Sequence, residues 1–404
     1  MKKLFRSREH LTAALFLAAL LIGVCLWLWG YFAPATTSGM APPVRATSLT
    51  DAFTNAETII NDSLDRSHHF IQLYGGIQRL LGRRMLTDAA NQNTVYKLSD
   101  GSLTFVNPNP SADLSANADA FLALQNALNE KNIPLLYLQA PQKIGREGTP
   151  TLPAGVADYG NENADRFLSL ITTNGASVLD FRDILEQDGQ HWTSYFFTTD
   201  HHWKPETALL CTQALVDDLN ETYELGLDPT LTASDPFSAQ VYEDIFLGSQ
   251  GKRTGSLYAG MDDLTVLTPN YSTDFTYSIP STETTRTGTF EESLLFMDRL
   301  EEPDPFQSNP YTLYAGGDYD LAQMINHQNP DGPKIVLLRD SYSCALAPFL
   351  ALQCSELTTI DLRHFEGDLL SCIEQLDPDL VLTLYTPGAV ANSSFVHFFA
   401  EPTA

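Results

Sequence analysis

Two short stretches hold the residue types able to do chemistry together. "TTDHHWKP" (198–205) sets Asp200, His201, His202 and Trp203 side by side in a chain with nine histidines. "LLRDSYSC" (337–344) places Ser341 after an apolar run. A serine hydroxyl needs a base to take its proton, and the base needs a third group to fix its tautomer. In an extended segment residues i and i+2 share a face, so Asp200 and His202 point the same way. The carboxylate then holds one imidazole nitrogen while the other faces Ser341. His201 and Trp203 point away, Trp203 as a wall of the site. Two plainer readings compete: a solvated histidine pair, and a serine serving as a helix N-cap. A metal reading competes as well, with Asp200, His201 or His202, and His191 as nitrogen and oxygen ligands suited to zinc or manganese. Adjacent histidines on a strand diverge, and no H-E-x-x-H pair assists them.

The surrounding elements decide where such groups would stand. "KIVLLRD" (334–340) reads as a buried strand and "CALAPFLALQC" (344–354) as a helix. Ser341 therefore lies at the carboxyl edge of a sheet, where open α/β folds bind ligands and helix amides can stabilise an oxyanion. The surroundings are not G-x-S-x-G, so the α/β-hydrolase elbow does not apply. Further strands are expected at 133–141, 176–181, 357–362 and 379–385, and helices at 118–132, 163–175, 204–220 and 367–376. Continuously apolar strands alternating with helices predict a mainly parallel sheet covered on both faces. The segment 223–312 is rich in Thr, Ser, Gly, Pro and Asp, and is expected to form an antiparallel insertion outside that sheet.

The formal charge is −27, with 50 acidic and 23 basic residues among 404, which argues against nucleic-acid binding. Residues 1–10 carry Lys2, Lys3, Arg6 and Arg8 as a cytoplasmic tail, and 11–32 run without a charge. At ~1.5 Å per residue that run spans a ~30 Å hydrocarbon core. It is expected to be a single-pass signal anchor with everything after it outside the cytoplasm. A cleaved signal peptide, with Ala33 and Ala35 at the cut, is the alternative. A linker and helical stalk (33–82) would join the anchor to a catalytic domain (83–404). Cys211, Cys344, Cys354 and Cys372 follow Cys25 of the anchor, and their spacing fits no zinc motif.

"TDHHW" followed some 140 residues later by "DSYS" resembles the DHHW-motif proteins, which are similar to alginate O-acetyltransferases with an SGNH-hydrolase-like domain. "YLQAPQK" (137–143), "GSQGKRTGSLYAGMDD" (248–263), "YAGGD" (314–318) and "IDLRHF" (360–365) extend the resemblance over most of 50–390. It implies a three-layer α/β/α sandwich of SGNH type. Ser341 falls on the nucleophile, His202 on the base and Asp200 on its orienting acid, with no cofactor and no metal. Gly316, Gly317, Arg253 and Trp203 are the further candidates for oxyanion or substrate binding. Arg339 departs from the pattern, standing where simple SGNH enzymes have glycine. The implied reaction moves an acetyl group to hydroxyls of a cell-surface polysaccharide, with a membrane-bound O-acyltransferase as the donor partner. A carbohydrate acetylesterase using the same triad, and an inactive glycan-binding surface protein, are the rival expectations.

Overall fold

Strands apolar at every position must be covered on both faces, and that requirement shapes the structure. It is a computed structural model that describes Leu21 and residues 68–88, 93–110 and 113–392. The chain divides into two units, Met1–Ile77 and Gln78–Ala404. In the first, the described residues are Leu21, His68 and the start of helix α1 (His69–Leu80). The expected anchor at 11–32 lies, apart from Leu21, outside the described residues, as do residues 33–67 of the expected linker and stalk. Among the described residues no helix is long and apolar enough to cross a membrane.

The second unit opens with a three-stranded antiparallel sheet, β1 (Met85–Thr87), β2 (Thr94–Lys97) and β3 (Leu103–Thr104). There follow α2 (Ser115–Asn129), β4 (Leu135–Gln139), α3 (Gly160–Thr173), β5 (Ser177–Asp180), α4 (Phe181–Asp188) and α5 (Pro205–Tyr223). Next come β6 (Phe237–Phe246), α6 (Ser249–Thr254), α7 (Ser256–Ala259), β7 (Asp262–Pro269), β8 (Phe275–Ile279), β9 (Thr284–Gly288) and α8 (Phe290–Leu294). The chain closes with β10 (Leu321–Asn326), β11 (Lys334–Arg339), α9 (Ser343–Ala351), β12 (Glu356–Ile360), α10 (Leu369–Leu376) and β13 (Leu380–Tyr385).

Eight strands form the main sheet in the order β5-β4-β13-β11-β12-β10-β8-β9. The first five run parallel, and the last three pair antiparallel. Alternate residues of each central strand feed two separate cores. Leu136, Leu337 and Leu382 pack with Leu215 of α5 and Phe349 of α9 on one face. Tyr137, Val336 and Val381 pack with Phe121, Phe167 and Ile373 of α2, α3 and α10 on the other. Helices thus cover both faces of the sheet, as the apolar strands required. Among the described cysteines all four are free thiols.

The segment 223–312 divides differently from expectation. Only β6 and β7 stand apart as a two-stranded sheet. β8 and β9 extend the main sheet through β10, which pairs antiparallel with β12. The reason is burial: β8 alternates buried and half-buried residues, and its Phe275, Tyr277 and Ile279 enter the same core as α5 and α9. A strand with one apolar face has to lay that face on a core.

Candidate active site

Ser341 occupies the turn between β11 and α9, and the turn is fixed from three sides. One Asp340 oxygen accepts from the Tyr342 amide (2.9 Å), and the other from the Thr386 amide just past β13 (3.3 Å). The Tyr342 carbonyl accepts from the Trp203 indole (3.0 Å) and the Tyr311 hydroxyl (3.0 Å). The Tyr342 hydroxyl donates to the His201 carbonyl. Trp203 is fully buried against Phe181 and Tyr342. It therefore supports the Ser341 turn, and the substrate contact expected of it is not available.

His202 Nε2 lies 2.8 Å from Ser341 Oγ, and its Nδ1 lies 2.5 Å from Asp200 Oδ1. The Tyr311 ring stacks on the His202 imidazole, with centroids 3.9 Å apart and planes at 17°. Asp200 and His202 meet for a reason other than strand alternation. The stretch is a bend in which the His202 amide donates back to Asp200 Oδ1 (3.0 Å), a side-chain-closed turn. His201 consequently does not point away, as an extended strand would require. Its ring lies 3.9 Å from that of His202, and its Nδ1 is 3.1 Å from Ser249 Oγ.

Residues remote in sequence hold this turn. Asp262 accepts from the amides of Thr198 (2.6 Å) and Thr199 (2.7 Å) and from the Thr199 hydroxyl (2.6 Å). The Lys143 ammonium, 2% exposed, donates to the carbonyls of Leu103 (2.6 Å), Thr198 (3.2 Å) and Asp200. Burial pulls the Lys143 pKa down to about 8, against the opposing pull of Asp262 and Asp200. The Ser249 amide donates to Asp200 Oδ2 (2.6 Å), bringing the start of α6 against the carboxylate. A Cβ at Gly248 would lie 2.2 Å from Asp200 Cβ and 2.6 Å from its Cα, so only glycine permits that approach. Lys143, Asp262 and Gly248 lie in the stretches that carried the family resemblance. Apart from that membership, no spacing rule marks them as neighbours of Asp200.

Burial alone would raise the Asp200 carboxyl, but His201, His202 and the donated hydrogen bonds hold it well below 3.8. It is thus an anion at neutral pH, able to fix the His202 tautomer and stabilise an imidazolium. Partial burial, with His202 beside it, lowers the His201 pKa. The His201 side chain keeps 41% exposure. Burial pushes Asp340 up to about 6, although Arg363 and its two backbone donors pull the other way.

Ser341 opens into a cleft of about 500 Å³ lined by His201, Asp340, Tyr342, Arg363, Tyr385 and Thr386, among others. A second cavity of about 450 Å³, bounded by α5 and the β6–β7 pair, contains none of Asp200, His202 and Ser341. Gly316 and Gly317, expected as oxyanion donors, do not line the cleft. They complete a left-handed turn whose carbonyls accept from Tyr319 and from the buried Arg339 (2.7 Å). Arg339, in place of glycine, thus ties this turn to β11 and also pairs with Asp318 (3.0 Å). Arg253 is likewise elsewhere, 3.9 Å from Asp88 and over the Phe105 ring.

A metal ion is the other chemistry to weigh. Asp200, His201 and His202 bring ligand atoms within 4.8 Å of one another. Their inner atoms already have partners: both Asp200 oxygens, both His202 nitrogens and His201 Nδ1 are hydrogen-bonded within the protein. The arrangement suits proton transfer between Ser341 and His202, with Asp200 orienting the ring, better than it suits ligation.

Residues 102–239 match the family model described as "SGNH hydrolase-like domain, acetyltransferase AlgX". Among solved structures, PatB1 of Bacillus cereus, determined with a sulfonyl adduct, is similar with a TM-score of 0.62 and 20% identity, covering 76% of this chain and 98% of that one. A DHHW family protein from Eubacterium siraeum gives a TM-score of 0.56 at 17% identity, covering 76% and 94%. No curated protein matches. At these identities the two structures speak for the fold, and the family model speaks for the domain. The resemblance carried by the motifs is thereby shown: this chain is similar to the DHHW-motif and SGNH hydrolase-like acetyltransferase proteins.

Proposed function

We propose that the protein is an O-acetyltransferase that moves an acetyl group to hydroxyls of a cell-surface glycan through Ser341, His202 and Asp200. The observation that carries this reading is the continuous contact from Ser341 Oγ to His202 Nε2 (2.8 Å) and from Nδ1 to a buried Asp200 (2.5 Å). Ser341 Oγ attacks the acetyl carbonyl of a donor ester, and its proton passes to His202 Nε2. The tetrahedral oxyanion forms beside the N-terminal turn of α9, where helix amides favour negative charge. Collapse expels the donor alcohol, which takes the proton from His202, and leaves an acetyl ester on Ser341. An acceptor hydroxyl then gives its proton to His202 and attacks that ester, and His202 returns the proton to the departing Ser341 Oγ, releasing acetylated glycan and restoring the free serine.

Acetyl transfer follows the family model's description as an acetyltransferase, the glycan acceptor is what the motif resemblance implies, and the chemistry at Ser341 is consistent with PatB1 having been solved with a sulfonyl adduct. We place the domain outside the cytoplasm on an anchor at 11–32, with a membrane-bound O-acyltransferase supplying the acetyl group. Turnover of p-nitrophenyl acetate tests the first half-reaction, and adding a soluble oligosaccharide tests the second. Acceleration with formation of acetylated sugar is expected. Acetate as the sole product across neutral, acidic and amino-sugar acceptors would make the protein an esterase.

A further inference from the structure

A second surface of the Gln78–Ala404 unit lies where that unit begins. Leu80, Leu81, Met85 and Leu257 are 89%, 65%, 48% and 54% exposed. The two segments that carry them are joined, because Arg79 Nη1 donates to the Leu257 carbonyl (3.4 Å) and the Tyr258 hydroxyl to the Arg83 carbonyl (2.7 Å). Single exposed leucines are ordinary, but four large exposed apolar residues on two joined segments mark a contact surface. Charge gives the second observation. Residues 78–87 contain Arg79, Arg83 and Arg84 and no acid, a balance of +3. The remainder of the chain therefore carries −27 − 3 = −30. Arg79 and Arg83 are exposed among the leucines, while Arg84 is turned to the carbonyls of Lys97 and Thr151.

We propose that this face rests on an anionic lipid surface, with Leu80, Leu81, Met85 and Leu257 at the headgroup–acyl boundary and Arg79 and Arg83 on lipid phosphates. Basic residues beside a buried apolar strip are the combination that holds a segment in the interface. A soluble polyanion would satisfy the arginines but leave the leucines in water, so the aliphatic groups decide for lipid. The inference does not depend on the chemistry at Ser341, nor on whether 11–32 spans a bilayer.

The test uses the full chain with lipid nanodiscs, zwitterionic in one set and containing phosphatidylglycerol in the other. Co-purification with the discs reports the anchor separately. Leu81→Cys and, as a control, Val241→Cys at an exposed position of β6 are labelled with a membrane-impermeant maleimide. On anionic discs Leu81→Cys should label at least about tenfold more slowly than Val241→Cys, because an interfacial residue is withdrawn from water. On zwitterionic discs the gap should narrow, and combining Leu81→Cys with Arg79→Glu and Arg83→Glu should close it. Equal labelling of the two cysteines on anionic discs overturns the proposal. So does equally slow labelling of Leu81→Cys on both discs, which would mean the chain covers its own face. Dextran sulfate slowing the reaction as much as anionic lipid does would show the face to be a polyanion site.

Discussion

Gly248→Ala should damage catalysis far more than it damages the fold. The new Cβ would fall 2.2 Å from Asp200 Cβ, 2.6 Å from Asp200 Cα and 2.6 Å from the Thr199 carbonyl. Ordinary carbon–carbon contacts need about 3.5–4.0 Å, so the two backbones must part by more than ~1 Å. That movement opens the Ser249 amide bond to Asp200 Oδ2, now 2.6 Å, and tilts the carboxylate that fixes His202. A displacement of ~1 Å in a positioning group costs about 100-fold in rate. The overpacking itself costs about 1–3 kcal/mol of stability. The assay is p-nitrophenyl acetate acylation alongside thermal unfolding. The control is Gly226→Ala, where φ is +66° and no neighbour lies within 4 Å, so strain destabilises without touching the site. A Gly248→Ala rate within threefold of the parent, or no worse than Gly226→Ala at matched folded fraction, would refute the reasoning.

His202→Ala should lower acylation by at least ~100-fold through loss of the base. His201→Ala should cost under ~10-fold, because its ring touches Ser249 rather than Ser341; equal losses would overturn the roles given to the two rings. Tyr311→Phe removes one hydrogen bond to the Tyr342 carbonyl and keeps the stacked ring. At about 1 kcal/mol it should slow acylation by up to ~10-fold, and an unchanged rate would free the hydroxyl of that positioning role. Asp340 is pushed by burial up to about 6 from 3.8, so the native state binds its proton more tightly than the unfolded chain does. Its contribution to stability is therefore full below about pH 4 and falls by up to about 3 kcal/mol as pH rises to about 6. Asp340→Asn should flatten that part of the stability curve, and an unaltered slope in chemical denaturation would contradict it. Exhaustive chelation should leave acylation unchanged, whereas loss restored by zinc would favour ligation at Asp200, His201 and His202.

The sequence made the central sheet legible because its parallel strands are apolar at successive positions. "KIVLLRD" became β11 at Lys334–Arg339 and "DLVLTLY" became β13 at Leu380–Tyr385 for that reason. The antiparallel edge was not legible. "LAQMIN" of β10 and "FTYSI" of β8 bury alternate residues only, and nothing local says which core receives them. Asp180 shows a boundary of the same kind: it ends β5 and caps α4 by accepting from the Arg182 amide (2.9 Å), which shortens the expected strand. At the site, residue types picked out Asp200, His202 and Ser341, while strand periodicity gave a wrong account of why they meet. A two-residue hydrogen-bonded bend replaces the strand, so His201 stands beside His202. Lys143, Asp262 and Gly248 come from three other places in the chain, and only the fold makes them neighbours of Asp200. Gly316, Gly317 and Arg253 fell on resembling stretches, yet their contacts are with Arg339, Tyr319, Asp88 and Phe105.

The most direct measurement is the site of covalent capture by an arylsulfonyl fluoride, read by intact mass and peptide mapping. A single sulfonyl group is expected on the peptide containing Ser341. It should be absent in Ser341→Ala and strongly slowed in His202→Ala, and acetyl esters should protect against it. No adduct in folded protein, or an adduct elsewhere that Ser341→Ala leaves intact, would contradict the claim that Ser341 is the activated nucleophile.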